Sequence, residues 1–380
     1  MSGVDVMDKR VDTGDGLPLS GLRVVSLAEQ YPGPYATLLM ADLGAEVILV
    51  ERPGQGDPAR GFPGFHAALN RNKRAVAIDL KSEEGRDALR GLLAGADVML
   101  EGFRPGTMAR LGFGYEDVAR LNPRLVYVSI SGFGQDGPYR DRPAHDLSYQ
   151  AITGLLFGQA RSGIPMPPGD LAIGDLASGM FAVLGTLAAL HQRGRNGRGQ
   201  YVDVSMTDGL VSWMSVFLGP QMNGQPQADI AAEPAYGTFR CGDGKLLTLS
   251  IAHEDWFWSA LCELLGMSDV AALRRPERVA QFDALRGRIE RALAQAPRDD
   301  WAPRLDEAAI PWGPVNDLHE VVEDPHFNAR GLFRDIPDAD GQVRRFVAQP
   351  LKFGGSHPGP VRGVPALGEG NAELLGNRSQ

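Results

Sequence analysis

Between residues 22 and 131 the sequence alternates short apolar, β-prone runs with helix-forming stretches, and this alternation limits the fold more than any other feature. The runs are LRVVSLA, EVILVE, AVAIDLK, DVMLEGF and LVYVSIS. Strand, helix and strand in succession make a βαβ unit, and βαβ units imply a parallel sheet. The stretch PGPYATLLMADLGA supplies the first crossover, with small residues to face a sheet. Residues 83–93 form another helix, started by Ser82 as N-cap with Glu84 nearby. A short helix containing Arg110 and a further one over 115–121 follow. The fold class is therefore α/β, with a doubly wound parallel sheet.

Sheets of this kind hold ligands at the carboxyl ends of their strands. Glu51 closes the second run, where dinucleotide-binding folds keep an acid for the ribose. The first turn, however, is Gln30-Tyr31-Pro32-Gly33-Pro34, without the glycines that let a pyrophosphate approach. Gly132-Phe133-Gly134-Gln135-Asp136-Gly137 matches G-x-G-x-x-G in form, yet Pro138, Tyr139 and Pro143 follow where a helix should open. It reads as a turn-rich loop walling a site, not as a dinucleotide motif.

Beyond this loop, residues 179–193 read as a buried helix, YVDVSMTDG as a strand or short extended run, and 210–218 as a helix. The chain turns polar around 223–232. After Pro234, AYGTFRCGDGKLLTLSIA reads as an antiparallel hairpin turned at Gly242-Asp243-Gly244. Helical segments are expected over 256–265, 276–295 and 301–309. The expected organisation is a disordered leader over 1–18, a large domain over 19–222, a small α+β domain with its linker over 223–323, and a C-terminal segment, 324–380, that returns to the large domain.

Composition narrows the function classes. A net charge of −9 argues against a general nucleic-acid binder, while leaving room for a local basic groove. Cys241 and Cys262 have no paired spacing, so neither a disulfide framework nor a zinc site is expected. The longest apolar runs are shorter than the roughly 20 residues that span a bilayer. The N-terminus is polar where a signal peptide is apolar. A cytoplasmic protein without membrane or nucleic-acid partners is expected.

No P-loop, nucleophile elbow or H-E-x-x-H occurs, and no catalytic metal is expected. The main candidate catalytic groups lie in 143–179. His145 and Asp146 lie in a loop leading into an apolar helix, and Asp175 follows some thirty residues on, beside Gly174 and Ala177-Ser178-Gly179. Histidine suits proton transfer near neutral pH, and a carboxylate among small residues leaves room for a substrate. The structural alternatives are a buried His145 satisfied by Asp146, and Asp175 as an N-cap. Glu254 suits either an N-cap or a third site acid. Arg52, Lys73, Arg74, Lys81, Arg104 and Arg110 fall at strand ends or helix starts, where they suit either phosphates or solvent.

Longer blocks are more specific. LSGLRVVSLAEQYPGPYATLLMADLGAEVILVERPGQGDPAR, NRNKRAVAIDLKSEEGR, EGFRPGTMARLGFGYEDVARLNPRLVYVSISGFGQDGP, LGTLAALHQRGRNGRGQYVDVSMTDG and IPWGPVNDLHEVVEDPHF resemble blocks of the class III CoA-transferase family (CaiB/BaiF type). That group also includes α-methylacyl-CoA racemases. The resemblance runs from about residue 19 to 351. It implies an interlocked, ring-like homodimer, each subunit with a Rossmann-like large domain and a small domain. It also implies acyl-CoA as substrate, with no permanently bound cofactor. By matched position Arg52, Lys73, Arg74, Arg104 and Arg110 would grip CoA, and the active-site aspartate falls on Asp175.

Two chemistries are implied. A transferase uses the aspartate as a nucleophile on the acyl-CoA carbonyl. A racemase sets the aspartate and a histidine on opposite faces of the α-carbon. AHDLSY resembles the racemase block GHDINY, with Ala144 in place of its glycine, and Glu254 matches a glutamate of that group. LAIGDLASG and QAITG resemble transferase blocks. The expectation leans to racemisation of a 2-methylacyl-CoA by His145 and Asp175, with Asp146 orienting His145; CoA transfer is the alternative.

Overall fold

The computed structural model describes residues 16–165, 169–226, 232–337 and 341–376. The leader expected over 1–18 lies outside these residues up to 15. Leu19, the first residue of the expected large domain, is buried, and its amide donates to the Leu43 carbonyl. The chain divides into two compact units, Met1–Leu218 with Ala329–Gln380, and Gly219–Asn328.

Six strands build the sheet of the first unit: β1 Arg23–Ser26, β2 Glu46–Glu51, β3 Arg74–Ala77, β4 Val98–Glu101, β5 Val126–Ser131 and β6 Tyr201–Ser205. All neighbours run parallel, in the order β3-β2-β1-β4-β5-β6. Val24 of β1 stands opposite Val47 of β2 and Val98 of β4. Because side chains alternate across a strand, the sheet feeds two cores. Val24, Leu49, Leu100 and Val128 face one, while Val25, Ile48, Met99 and Tyr127 face the other. Burial on both faces explains why these strands read as continuous apolar runs. Each fully buried aliphatic side chain contributes about 1.5–3 kcal/mol.

The helices of this unit include α1 Pro32–Asp42, α2 Pro63–Asn70, α3 Glu83–Ala94, α4 Thr107–Arg110, α5 Tyr115–Leu121, α6 Asp146–Ile152, α7 Phe157–Ser162, α8 Ile173–Asn196 and α9 Met206–Trp213. Ser82 caps α3 by accepting from the Gly85 amide at 3.0 Å. Helices α1 and α8 cover the first core through Ala36, Met40, Ala182 and Ala189. They approach closely: a Cβ on Gly179 would stand 2.9 Å from the Pro32 carbonyl oxygen. Helix α8 begins six residues before the expected 179, which carries Asp175 into its first turn. Among the described helices it alone is long and apolar enough, by length and composition, to cross a bilayer. Here its Ala177, Thr186 and Ala189 face is buried against its own unit.

In the second unit, β7 Tyr236–Arg240, β8 Leu246–Ser250 and β9 Trp312–Pro314 form an antiparallel sheet, with Tyr236 opposite Ser250 across the hairpin. Trp258, Ile289, Leu293 and Leu305 fill its core. The expected helix over 276–295 is two helices, Arg275–Ala280 and Phe282–Leu293, broken at Gln281. The C-terminal residues of the first unit run along its sheet edge. Gly370 donates to the Ala75 carbonyl, and the Asn371 side chain accepts from the Ala77 amide, both at 2.8 Å. Edge strand β3 thereby loses the free polar groups that edges otherwise expose.

Candidate active site

The strand order reverses between β1 and β4, and doubly wound sheets bind ligands at that point, beyond the strand carboxyl ends. A cavity of about 350 Å³ opens there. The loop after β1 contributes Glu29, Gln30 and Tyr31, and the loop after β4 contributes Gly102 and Phe103. His145, Asp146, Tyr149 and Asp175 complete its polar wall. Gln30 holds φ +66°, which a side chain rarely adopts, and its amide donates to the Asp57 carboxylate at 3.0 and 3.1 Å. That anchor fixes where Glu29 and Tyr31 point.

Asp175 is the third residue of α8 and half-buried. It is not the N-cap; Ala172 holds that place without a side-chain bond. The capping is done from another helix. Asp146 Oδ1 accepts from the Gly174 amide at 2.6 Å and from the Asp175 amide at 3.3 Å, and Oδ2 accepts from Gln150. First-turn amides have no intrahelical partner, and a carboxylate there satisfies both the hydrogen bonds and the helix dipole. A Cβ at Gly174 would stand 2.8 Å from Asp146 Oδ1, so glycine makes the contact possible. Burial, and then the Asp146 charge, push the Asp175 carboxyl up to about 7.

This corrects the expected role of Asp146. Its carboxylate is spent on α8, not on orienting His145. His145 is the N-cap residue of α6, makes no capping bond, and is exposed at the cavity mouth rather than buried. The loop carrying it is pinned by Tyr149, whose hydroxyl donates to the Ala144 carbonyl at 3.0 Å and whose ring meets Phe133 edge-on at 5.4 Å. A Cβ at Gly132 would stand 2.4 Å from the Tyr149 hydroxyl. Burial, then Asp175, raise the phenols of both Tyr31 and Tyr149, so both stay protonated donors.

A second cavity of about 620 Å³ adjoins the first, sharing Gly102, Phe103, Ala144, His145, Tyr149 and Met206. Arg104, Arg110, Arg140 and Arg142 line it. Arg110 donates to Thr107 Oγ1 at 2.9 Å, Arg140 to the Gln135 carbonyl at 2.9 Å, and Arg142 lies over the Tyr139 ring at 5.3 Å. Four guanidinium groups in one cavity of an acidic protein suit a polyanion. Arg140 and Arg142 were missed by the sequence reading. Their signal was two arginines set among glycine and proline, directly upstream of His145.

The other expected basic residues are placed differently. Lys73 is fully buried, and its Nζ donates to the Pro34 carbonyl, Thr37 Oγ1 and Asn70 Oδ1, each at 2.8 Å. Burial drives its pKa well below the usual lysine range. Its three donors are all used inside the fold, so its expected grip on CoA is corrected to a structural role. Arg74 is likewise buried, paired with Glu46 at 3.0 Å and Glu373 at 2.5 Å. Arg52 is half-exposed, donates to the Gly56 carbonyl at 3.0 Å and reaches Glu29 at 4.0 Å. Glu51 takes Arg60 in a two-pronged pair, so it is no ribose acceptor. Glu254 belongs to the second unit, at the N-cap position before Asp255–Leu264, where its carboxylate accepts from the Ala252 amide at 3.0 Å.

The family model described as CoA-transferase family III matches residues 19–371. The acetyl-CoA:oxalate CoA-transferase of Acetobacter aceti is 33% identical over 378 residues, covering 94% of this chain and 95% of that protein. The succinyl-CoA:mesaconate CoA-transferase of Haloarcula hispanica is 34% identical over 391 residues, with 94% and 95% covered. The crystal structure of a CAIB/BAIF family protein from Brucella suis superposes with a TM-score of 0.83 at 30% identity, covering 96% of this chain and all of that one. With a match that spans nearly every described residue and a sheet of the same architecture, this chain belongs to CoA-transferase family III.

Proposed function

We propose that this enzyme is a CoA-transferase that moves CoA from an acyl-CoA to a carboxylic acid, with Asp175 as the covalent nucleophile. One observation carries the reading: Asp175 lines a cavity that shares a wall with the cavity of four arginines. The arginines suit the CoA phosphates, and the shared wall suits the arm that delivers the thioester to Asp175. The carboxylate attacks the thioester carbonyl, and the CoA thiolate leaves, giving a mixed anhydride on Asp175. The thiolate then attacks the aspartyl carbonyl, releasing the first acid and leaving a CoA thioester on the enzyme. The acceptor carboxylate attacks that thioester, and CoA returns to the new acyl group by the reverse sequence. The protonated phenol of Tyr31 lines the same cavity as a donor for the developing oxyanion.

This reverses the preference for racemisation. The relatives above are named CoA-transferases, and Asp146, expected to orient His145 for proton transfer, is bonded to α8 instead. The reading includes a homodimer of interlocked subunits. Met180, Leu184, Val211, Trp213 and Val216 of the first unit are exposed within one chain, an apolar surface that a second copy would cover. Acyl-CoA is a substrate in this reading, and no resident cofactor is invoked. The test is to incubate the enzyme with acyl-CoA donors and a panel of carboxylic acids in D2O. Transfer of CoA without deuterium at the α-carbon is expected; deuterium exchange without any acceptor acid would return the assignment to a racemase.

A further inference from the structure

The described residues lining the Asp175 cavity include three acids, Glu29, Asp146 and Asp175, and neither arginine nor lysine. The four arginines all lie in the adjoining cavity. Arg52 is the cation nearest Glu29 by the ion pairs, yet it reaches the carboxylate only at 4.0 Å and does not line the cavity. Burial first, with Asp57 and Glu51 adding to it and Arg52 opposing, raises the Glu29 carboxyl. The wall therefore already resists the charge it carries.

An acyl group derived from a dicarboxylic acid brings a second carboxylate into this space. The reacting carboxylate loses its charge on becoming an anhydride or thioester; the second keeps it throughout. The relatives named above take oxalate and mesaconate, both dicarboxylates. Here the cavity offers such a group Glu29 where it would need a cation. We propose that Glu29 is a specificity-determining residue that turns the site against a free second carboxylate, so that the acyl group handled is an uncharged monoacyl chain. Leu27, Phe103 and Met206 in the same wall suit such a chain. The inference rests on the transferase reading.

Butyryl-CoA and succinyl-CoA have the same number of chain carbons and differ by one carboxylate, so they isolate the effect. One extra like charge in a half-buried cavity costs between about tenfold and a hundredfold in binding. The expected kcat/KM for butyryl-CoA exceeds that for succinyl-CoA by at least about tenfold. Glu29→Gln keeps the shape, and should narrow the ratio severalfold or more through a lower KM for succinyl-CoA. A merely structural role would change both donors alike. A wild-type preference for succinyl-CoA, or a ratio unmoved by Glu29→Gln, would overturn the proposal while leaving the transferase reading intact. Absence of CoA transfer from every donor to every acid would remove both.

Discussion

Replacing Asp175 by Asn should stabilise the protein, and the gain should depend on pH in a defined way. Burial and the Asp146 charge raise the Asp175 carboxyl from 3.8 to about 7 in the folded chain. The folded state therefore holds a proton that the unfolded chain releases between those values. A carboxyl of this kind adds stability fully below its unfolded pKa, and that stability is lost as pH rises through the folded pKa. At about 1.36 kcal/mol per pH unit the full loss is roughly 4 kcal/mol, and partial solvent access reduces it to about 2–4 kcal/mol. Asn has the same shape and no charge to bury. Urea unfolding of wild type and Asp175→Asn should give closely similar stabilities at pH 4 and a variant about 2–4 kcal/mol more stable at pH 8. The same variant should lack transferase activity. Equal stability at pH 8, or a variant that is weaker there than at pH 4, would refute the electrostatic account of the site.

Four further outcomes follow. Asp146→Asn removes a charge that raises Asp175 while leaving an oxygen for the Gly174 amide, so the acid limb of kcat/KM should move down by about half to one pH unit; an unmoved limb contradicts the coupling. In the wild type, kcat/KM should rise about tenfold per pH unit below about 7 and level off above it, because only the carboxylate attacks. Arg104→Ala or Arg142→Ala should raise KM for acyl-CoA about tenfold or more with little change in melting temperature. Lys73→Ala should do the opposite, costing about 3–5 kcal/mol of stability by stranding three buried acceptors, and an acyl-CoA KM effect without instability would restore Lys73 to the binding site.

The sheet was legible because its inner strands are short runs buried on two faces, such as Glu46–Glu51 and Val126–Ser131, set off by helix signals such as Ser82. The start of α8 was not. Gly174 and Gly179 are poor helix formers, and their place in the helix comes from close approach to Asp146 in the one case and to Pro32 and Tyr35 in the other, a tertiary effect. Adjacent residues also misled. Asp146 follows His145 in sequence, yet at the first position of α6 its carboxylate faces an amide 28 residues later. A charge run such as Asn70 to Arg74 carries no mark of burial; only the fold reveals that Lys73 lies among acceptors from α1 and α2. Asp175 and His145 were singled out from one loop-rich stretch, and the structure brings both to one cavity wall.

The central claim is that Asp175 carries the acyl group and then CoA as a covalent ester-level intermediate. The most direct measurement is to mix the enzyme with an acyl-CoA, quench with hydroxylamine, and map the modified residue by mass spectrometry of the peptide bearing Ile173–Asn196. A hydroxamate at Asp175, formed only with acyl-CoA present and absent from Asp175→Asn, is the predicted result. Sustained CoA transfer with Asp175 unmodified, or with the label on another residue, would contradict the account.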